Sequence, residues 1–453
     1  MVSLSSKSRK PLLVFLSHQM EGHINPILTI ASYMVKRGYD VSFICPDRYK
    51  EKITNAGAEF IDMPDLDDNH RAPPELVQIP YGLERIVVQI TRVFFETTAI
   101  RAETALEALQ MLRKRDPERQ IIILEEIFSM ATMPLRYGCP LPAGFDSPPK
   151  RIGISPSPLM VESQDTAPFM LALPPDSTES GRLRNKELRR LVNEGPMRPL
   201  SEAWAAAMSA CNCEVVPDGN PLSAWFTNYD ATFLLCSPSL EYPLSDMPSM
   251  INFAGCLPRR DISANYEYPD WWSEITENTA AEDRKKILFV SQGTVSNDWH
   301  QLILPTIQAF SSHDDILVIA SLGARGSKMP ENIELPENAR VIDYIPYDLI
   351  LEHSDIFISN AGYGAFCHSV INGVPAVFAG ESEEKAEVIM RATWAGFAVS
   401  LKTQTPTWQQ IKEGVQRVLG DENYRRRAEE LRQENEALNS LARIEQKIID
   451  FTE

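Results

Sequence analysis

Short apolar runs alternate with amphipathic helical segments in two separate stretches of this chain, and few folds accommodate that rhythm. In the first stretch, Leu12–Ser17 reads as a buried strand; after a turn, a helical pattern runs over Ile24–Lys36 and stops at Gly38. Val41–Ile44 and Asp47–Ala56 repeat the pair, and Ile121–Leu124 and Arg151–Ile154 add two strands. The second stretch restarts at Lys286–Val290, with a helix from Trp299 to Phe310. Strands follow at Ile316–Ala320, Arg340–Ile342, Ile356–Ser359 and Pro375–Phe378, with helices at Gly364–Ile371 and Lys385–Ala395. Strands apolar along their whole length are covered on both faces, as in parallel sheets built from βαβ units. The expected fold class is α/β, with two doubly wound domains facing each other across a cleft.

The boundaries follow from what interrupts this rhythm. Residues 257–284 carry Pro258, Pro269 and Trp271-Trp272 in a polar stretch with little periodicity, which reads as an interdomain linker. The expected organisation is a first domain over 1–256, that linker, a second domain over 285–421, and one or two charged amphipathic tail helices over 422–453. The proline-rich and then helical segment Pro156–Asn220 reads as an insertion that shapes a pocket in the first domain.

Composition narrows the function. A net charge of −18 excludes a general nucleic-acid binder, which needs a basic face, and a polybasic membrane attachment. The seven cysteines are scattered, with no C-x-x-C, and read as reduced, mostly buried thiols. The six apolar residues Pro11–Leu16 are too few for a secretory leader, and no run of ~18 apolar residues occurs, so the cytosol is the expected location. Neither G-x-G-x-x-G after the first strand nor a Walker motif is present, which weighs against an NAD enzyme and an ATPase.

Three segments carry chemistry. Leu16 to Pro26 leaves a strand and enters a helix, so His23 stands at the strand's carboxyl end, near a helix start. The positive end of the helix dipole lowers a nearby imidazole's proton affinity and favours the neutral form a general base requires. His23 could equally be a helix-terminal residue, and His18 is a second candidate. Ile121–Glu126 is an apolar strand ending in two carboxylates, suited to orienting a histidine and stabilising its imidazolium, unless both are solvated loop residues. Ile356 to His368 passes from strand through a small-residue turn into a helix, and Ser291–Thr294 is a second small turn after a strand. Such turns bring backbone N–H groups and a helix N-terminus to a phosphate, and two of them fit a nucleotide diphosphate.

Together these segments resemble the family-1, UDP-sugar-dependent glycosyltransferases of the GT-B fold. The resemblance rests on Gly22-His-Ile-Asn-Pro26, on Tyr344–Leu351 through Gly380–Lys385, and on a tail helix returning to the first domain. Val290–Thr294, Ala339–Tyr344, Asn360–Gly364 and the segment Glu126–Pro134 resemble fungal members of the sophorolipid-forming type most. The resemblance implies an acceptor-binding first domain and a UDP-sugar-binding second domain, with His23 as catalytic base and Glu126 as its relay carboxylate. It implies that Thr294 contacts phosphate and that Tyr344 and Ile345 hold uracil. Asn360, Gly362, Gly364 and Ala365 would meet the diphosphate, His368 the ribose, and Glu384 and Lys385 the sugar hydroxyls. At several of these positions the residue departs from the usual one. Asn360 replaces a histidine and His368 a glutamate, while Lys385 replaces a glutamine and offers donors only.

The expected reaction is an inverting, metal-independent transfer of a hexose, with glucose as the expected sugar. UDP-sugar is the donor substrate, and no further cofactor is implied. The acceptor would be a hydroxylated apolar or amphiphilic molecule such as a hydroxy fatty acid, glycolipid, terpenoid or polyphenol. Phe94-Phe95, Phe128, Met130, Phe169-Met170 and Trp225-Phe226 are candidate pocket or core residues. A UDP-sugar epimerase or hydrolase, and a UDP-sugar-binding protein without catalysis, are alternatives on the same fold.

Overall fold

The computed structural model describes residues 9–66, 76, 78–80, 82–260, 262–263, 265–293, 298–330 and 332–452. Its scaffold is two wholly parallel sheets. The first has seven strands: β1 (Leu12–Leu16), β2 (Asp40–Cys45), β3 (Glu59–Asp62), β4 (Ile121–Glu126), β5 (Lys150–Ser155), β6 (Ala231–Leu234) and β7 (Ile251–Phe253). The second has six: β8 (Lys286–Ser291), β9 (Ile316–Ser321), β10 (Ala339–Ile342), β11 (Ile356–Ser359), β12 (Ala376–Phe378) and β13 (Ala398–Ser400). The orders are β3-β2-β1-β4-β5-β6-β7 and β10-β9-β8-β11-β12-β13. Each sheet starts in the middle, winds outward to one edge, then crosses back and winds to the other, which is the doubly wound pattern.

The apolar runs became strands because both faces are covered. All five residues of β1 and all six of β4 are buried. Helix Glu21–Lys36 lays Ile24, Ile27, Ile30, Ala31 and Met34 against one face, a 3.6-residue stripe. β3, β6, β7 and β13 were missing from the sequence-based pattern. They are three or four residues long, and all but β6 are only partly buried, so they have little periodicity to read.

Elements in the 257–284 stretch add detail. It contains the helix Trp272–Ala280, which packs on the second sheet's domain through fully buried Ile275. Glu274 pairs with Arg340 at 2.8 Å, and the Trp272 ring lies 5.4 Å from that of His353. The tail forms two helices, Glu422–Leu438 and Ser440–Asp450, broken at Asn439 with φ 51°. The second buries Ile444 and Ile448 in the core of the first domain beside Ile24 and Ile27. Glu445 there accepts from Tyr33 at 2.9 Å and from Arg37 at 3.0 Å. All seven cysteines are free thiols. Among the described residues, no helix is long and apolar enough to cross a membrane.

Candidate active site

Reversal of winding opens a crevice at the carboxyl ends of the strands between β1 and β4 in one sheet, and between β8 and β11 in the other. The loop after β1 carries His18 and leads to His23, and β4 ends in Glu126. Gln292 and Gly293 follow β8, and Asn360 to Gly362 follow β11. The candidate residues of both domains thus flank the two switch points.

His23 sits in the first turn of helix Glu21–Lys36, whose start has no side-chain cap and whose interior contains Pro26. Proline has no N–H, so the Gly22 carbonyl lacks its helical donor beside the histidine. Glu126 is fully buried. Its Oε2 accepts the His18 backbone N–H at 3.2 Å, and its Oε1 accepts the Phe128 backbone N–H at 3.1 Å. That same Oε1 lies 3.2 Å from His23 Nδ1, as a close ion pair rather than a linear hydrogen bond. Nδ1 is buried while the side chain is 20% exposed, so the open side of the ring is that of Nε2.

This pairing overturns the electrostatic expectation from the helix dipole. Burial opposes charge on His23, but the Glu126 carboxylate outweighs it, and Glu384 of the opposite domain adds in the same sense. The imidazole pKa is raised above its ordinary 6.5. An uncharged dipole end is a weaker field source than a full carboxylate at contact distance. Nor are the two carboxylates solvated loop residues: Glu125 and Glu126 are both fully buried, on opposite sides of the strand. Glu125 accepts from the backbone N–H and hydroxyl of Thr132, and burial raises its pKa.

His18 is buried, and its ring nitrogens have no hydrogen-bond partner among the described residues. Burial and the positive charge of Arg101 hold its pKa well below the ordinary value, so it stays neutral. Its ring lies 5.3 Å from that of His23 and 4.8 Å from that of Phe94. Phe128 stands edge-on to His23 at 5.4 Å and to Trp225 at 4.7 Å. Of the apolar candidates, Phe94 thus lies against His18 and Phe128 against His23. Phe95, Met130, Trp225 and Phe226 are core residues, at most 2% exposed.

In the second domain, Ala361 takes φ 60° and Gly293 φ 75°, and helix Tyr363–Ile371 begins at Gly362 with no side-chain cap. A Cβ added at Gly293, Gly362 or Gly364 would meet nothing within 4 Å, so open space lies against these turns. Elsewhere Thr178, Asn220, Thr407 and Asp421 cap their helices with side-chain oxygens. The helix starts at Gly362 and at Glu384 keep their N–H groups free of such caps. Ala365 lies buried in the first turn of its helix. Asn360 Nδ2 donates to the Gln292 carbonyl at 2.6 Å, which ties the two turns together and engages one of its two N–H hydrogens. Gly380 is needed as glycine, because a Cβ there would lie 2.3 Å from the Asn360 carbonyl oxygen.

His368 pairs through Nδ1 with Asp348 Oδ1 at 2.7 Å, an aspartate that also accepts from Asn372 at 2.9 Å. Burial opposes charge on Asp348, but these contacts lower its pKa, and the carboxylate at Nδ1 orients the His368 ring. The Arg325 guanidinium lies over the Tyr344 ring at 4.6 Å. The Ile345 side chain is fully buried in the core, which leaves its backbone as the group a base could read. Glu384 caps helix Lys385–Ala395 by position. Lys385 Nζ donates to Ser382 Oγ at 2.6 Å and pairs with Glu383, which takes φ 50°. Thr294 lies outside the described residues. Asp348 and Arg325 were not singled out in the sequence. Asp348 lies within the Tyr344–Leu351 stretch, whereas Arg325 sits in a loop with no patterned neighbour.

Known proteins share this architecture and sequence. Residues 306–451 match a family profile described as the C-terminal domain of erythromycin biosynthesis protein CIII-like proteins. UDP-glucosyltransferase 1 of Beauveria bassiana is 36% identical over 97% of this chain and 95% of its own. UDP-glucosyltransferase A1 of Starmerella bombicola is 30% identical over 98% of this chain and 93% of its own. Among solved structures, the glycotransferase of kitacinnamycin superposes with a TM-score of 0.69 at 19% identity, over 98% of this chain and 99% of its own. SnogD, a glycosyltransferase from Streptomyces nogalater, superposes with a TM-score of 0.65 at 16% identity, over 98% of this chain and all of its own. The chain belongs to the UDP-glycosyltransferases of the GT-B fold.

Proposed function

We propose that the protein transfers glucose from UDP-glucose to a hydroxyl group of an apolar or amphiphilic acceptor, with inversion at the anomeric carbon and without a metal. The observation that carries this reading is the His23–Glu126 pair, a buried carboxylate 3.2 Å from Nδ1 of a histidine whose open side faces the cleft. With the proton on Nδ1, Nε2 accepts the acceptor hydroxyl's proton as the oxygen attacks the anomeric carbon. Glu126 stabilises the imidazolium that results. Attack from the face opposite UDP inverts the configuration. The negative charge that develops on the leaving diphosphate is offset by the uncapped N–H groups of the helix starting after Gly362 and by the turn at Gly293.

Uracil lies against Tyr344, backed by Arg325, and reads the Ile345 backbone. His368 Nε2 accepts from a ribose hydroxyl, Asn360 and Ala365 border the diphosphate, and Glu384 and Lys385 hold the sugar hydroxyls. Thr294 completes the phosphate contacts in this reading. Phe128 beside His23, with Phe94 packed against Phe128 and His18, favours an acceptor whose reacting hydroxyl is attached to an apolar body. Both relatives named above are UDP-glucosyltransferases, which supports glucose as the sugar; the hydroxy fatty acids and glycolipids that the sequence resemblance implies are the first acceptors to try.

The test is mass spectrometry of the purified protein with UDP-glucose and a panel of hydroxy fatty acids, glycolipids, terpenoids and flavonoids, beside an acceptor-free control. A product one hexose heavier, absent from the control and carrying the β-linkage by proton coupling, is expected. UDP or an isomerised sugar formed in the control alone, with no transfer to any acceptor, overturns the reading in favour of a hydrolase or epimerase. Tight UDP-glucose binding with no turnover at all overturns it in favour of a binding protein.

A further inference from the structure

A second cluster of charges lies where the two domains meet, away from the groups assigned to the reaction. Helix Lys385–Ala395 starts at the Glu384–Lys385 pair and, over its next two turns, turns Glu387 and Arg391 toward the first domain. Arg391, Glu387 and Glu241 are all at least 95% buried. Arg391 Nε donates to Glu241 Oε2 at 2.6 Å, Nη1 to Glu387 Oε2 at 2.8 Å, and Nη2 to the Leu159 carbonyl at 3.0 Å. Glu241 Oε1 accepts the Leu159 N–H at 2.8 Å.

The remaining oxygen of Glu387, Oε1, accepts the backbone N–H groups of Met170 and Ala172 at 2.7 and 2.8 Å. One cation and two carboxylates leave an excess negative charge out of water, and these three backbone N–H groups are what solvate it. The loop they belong to is not relaxed. Met170 and Ala172 take φ 81° and 49°, in the left-handed region that disfavours residues with a Cβ. A loop in that conformation persists because something holds it, and here the holder is a side chain of the other domain. The loop follows β5, whose neighbour β4 ends in Glu126, and its Leu159 to Val161 share a core with Phe128 and Trp225.

We propose that Glu387 and Arg391 are positioning residues that latch the acceptor-side loop 159–172 to the helix whose first turn holds the donor sugar, so that one helix sets the placement of both substrates. This rests on the donor and acceptor assignments above. Glu387 follows Glu384 by three residues, roughly 4.5 Å along the axis. A shift of the helix start on binding UDP-glucose is therefore passed to the amides of residues 170 and 172 without an intervening flexible segment.

Those two amides are also the reporters. Hydrogen–deuterium exchange on the full chain, with and without UDP-glucose, is the measurement, with calorimetry of UDP-glucose binding beside it. UDP-glucose is expected to slow exchange of the segment containing Met170 and Ala172 at least about threefold in the wild type. Glu387→Ala is expected to speed that exchange about tenfold or more and to abolish the response to UDP-glucose, while donor affinity stays near wild type. Glu387→Gln, which keeps an acceptor oxygen for both N–H groups, should restore the response. With the best acceptor of the panel, Glu387→Ala should raise acceptor KM about tenfold with a smaller change in donor KM. UDP-glucose that fails to bind the wild type overturns the donor assignment, and the latch with it. UDP-glucose that binds without slowing these amides overturns the latch alone. So does a Glu387→Gln protein that behaves like Glu387→Ala, since a purely structural charge pair predicts that result.

Discussion

His23 and Glu126 are separated by a hundred residues of chain and by 3.2 Å of space, and their chemistry is that of the pair. Replacing His23 with alanine is expected to lower kcat at least about a thousandfold while UDP affinity stays nearly unchanged, because in the proposed reaction the ring meets the acceptor hydroxyl and not the nucleotide. Steady-state rates with UDP titration calorimetry check this, and substantial residual transfer would remove His23 from the role of base. The raised His23 pKa also sets the pH profile. A base must be neutral, so activity falls as pH drops through a value above 6.5. Glu126→Gln removes the charge that raised it, so the acid limb should move to lower pH while the plateau rate falls; a limb that stays put would mean another group titrates.

His18 has the opposite sign. Burial depresses its folded pKa, so the unfolded chain binds the proton more readily. Its contribution to stability is full above the ordinary value of 6.5 and is lost as pH falls from there toward the lower folded value. His18→Gln should flatten that part of the urea-midpoint profile relative to wild type. An identical slope in both proteins would show that His18 does not titrate on unfolding.

At the level of elements, two glycines of the second domain separate ligand approach from chain packing. Gly362 starts the helix Tyr363–Ile371 with φ −57° and has open space at its Cβ position, so Gly362→Ala should fold normally and keep its melting temperature. The added methyl would stand where the diphosphate must approach, and UDP affinity should fall about tenfold or more. Gly380→Ala meets the Asn360 carbonyl oxygen at 2.3 Å, so it must displace backbone and should lower melting temperature and UDP affinity together. Equal effects of the two substitutions in thermal melts would contradict this division. The helices at both sites were readable as patterns: Gly364–Ile371 and Lys385–Ala395 are where the periodicity places them, within one residue. What the pattern could not supply is that Lys385 is drawn onto Ser382 and Glu383, or that His368 is oriented by Asp348. Those are contacts between a helix and the loop or helix beside it, and no periodicity encodes them.

For the molecule as a whole, the last helix makes the first domain dependent on the end of the chain. Ile444 and Ile448 are fully buried among residues of helix Glu21–Lys36, the helix that presents His23. Ile448→Ala should cost about 2–4 kcal/mol of unfolding free energy, read as a lower denaturant midpoint. An unchanged midpoint would show that the tail helix is docked without contributing. In the other tail helix, Ala428 and Leu431 join the core of the second domain, while Asn435 Oδ1 accepts the Cys256 N–H and Glu434 the Ser239 N–H at 3.2 Å. The tail therefore spans both domains, alongside the latch of Arg391, Glu387 and Glu241.

Read alone, the sequence determined the two parallel sheets, because unbroken apolar strands between amphipathic helices have few other ways to cover both faces. It also placed the candidate residues at strand ends, since Glu126 closes an apolar run, Asn360 directly follows one and His23 opens the helix after one, and open α/β sheets bind ligands there. The tertiary structure alone decided the electrostatics. The sequence-based argument from a helix dipole gave His23 a lowered proton affinity, and a carboxylate arriving from another strand reversed it. It alone joined Glu387 to Met170 across more than two hundred residues, and Arg391 to Glu241 across one hundred and fifty. Local patterns record which face of an element is apolar; they carry no information about which distant charge will be buried against it, and at these sites that neighbour sets the chemistry.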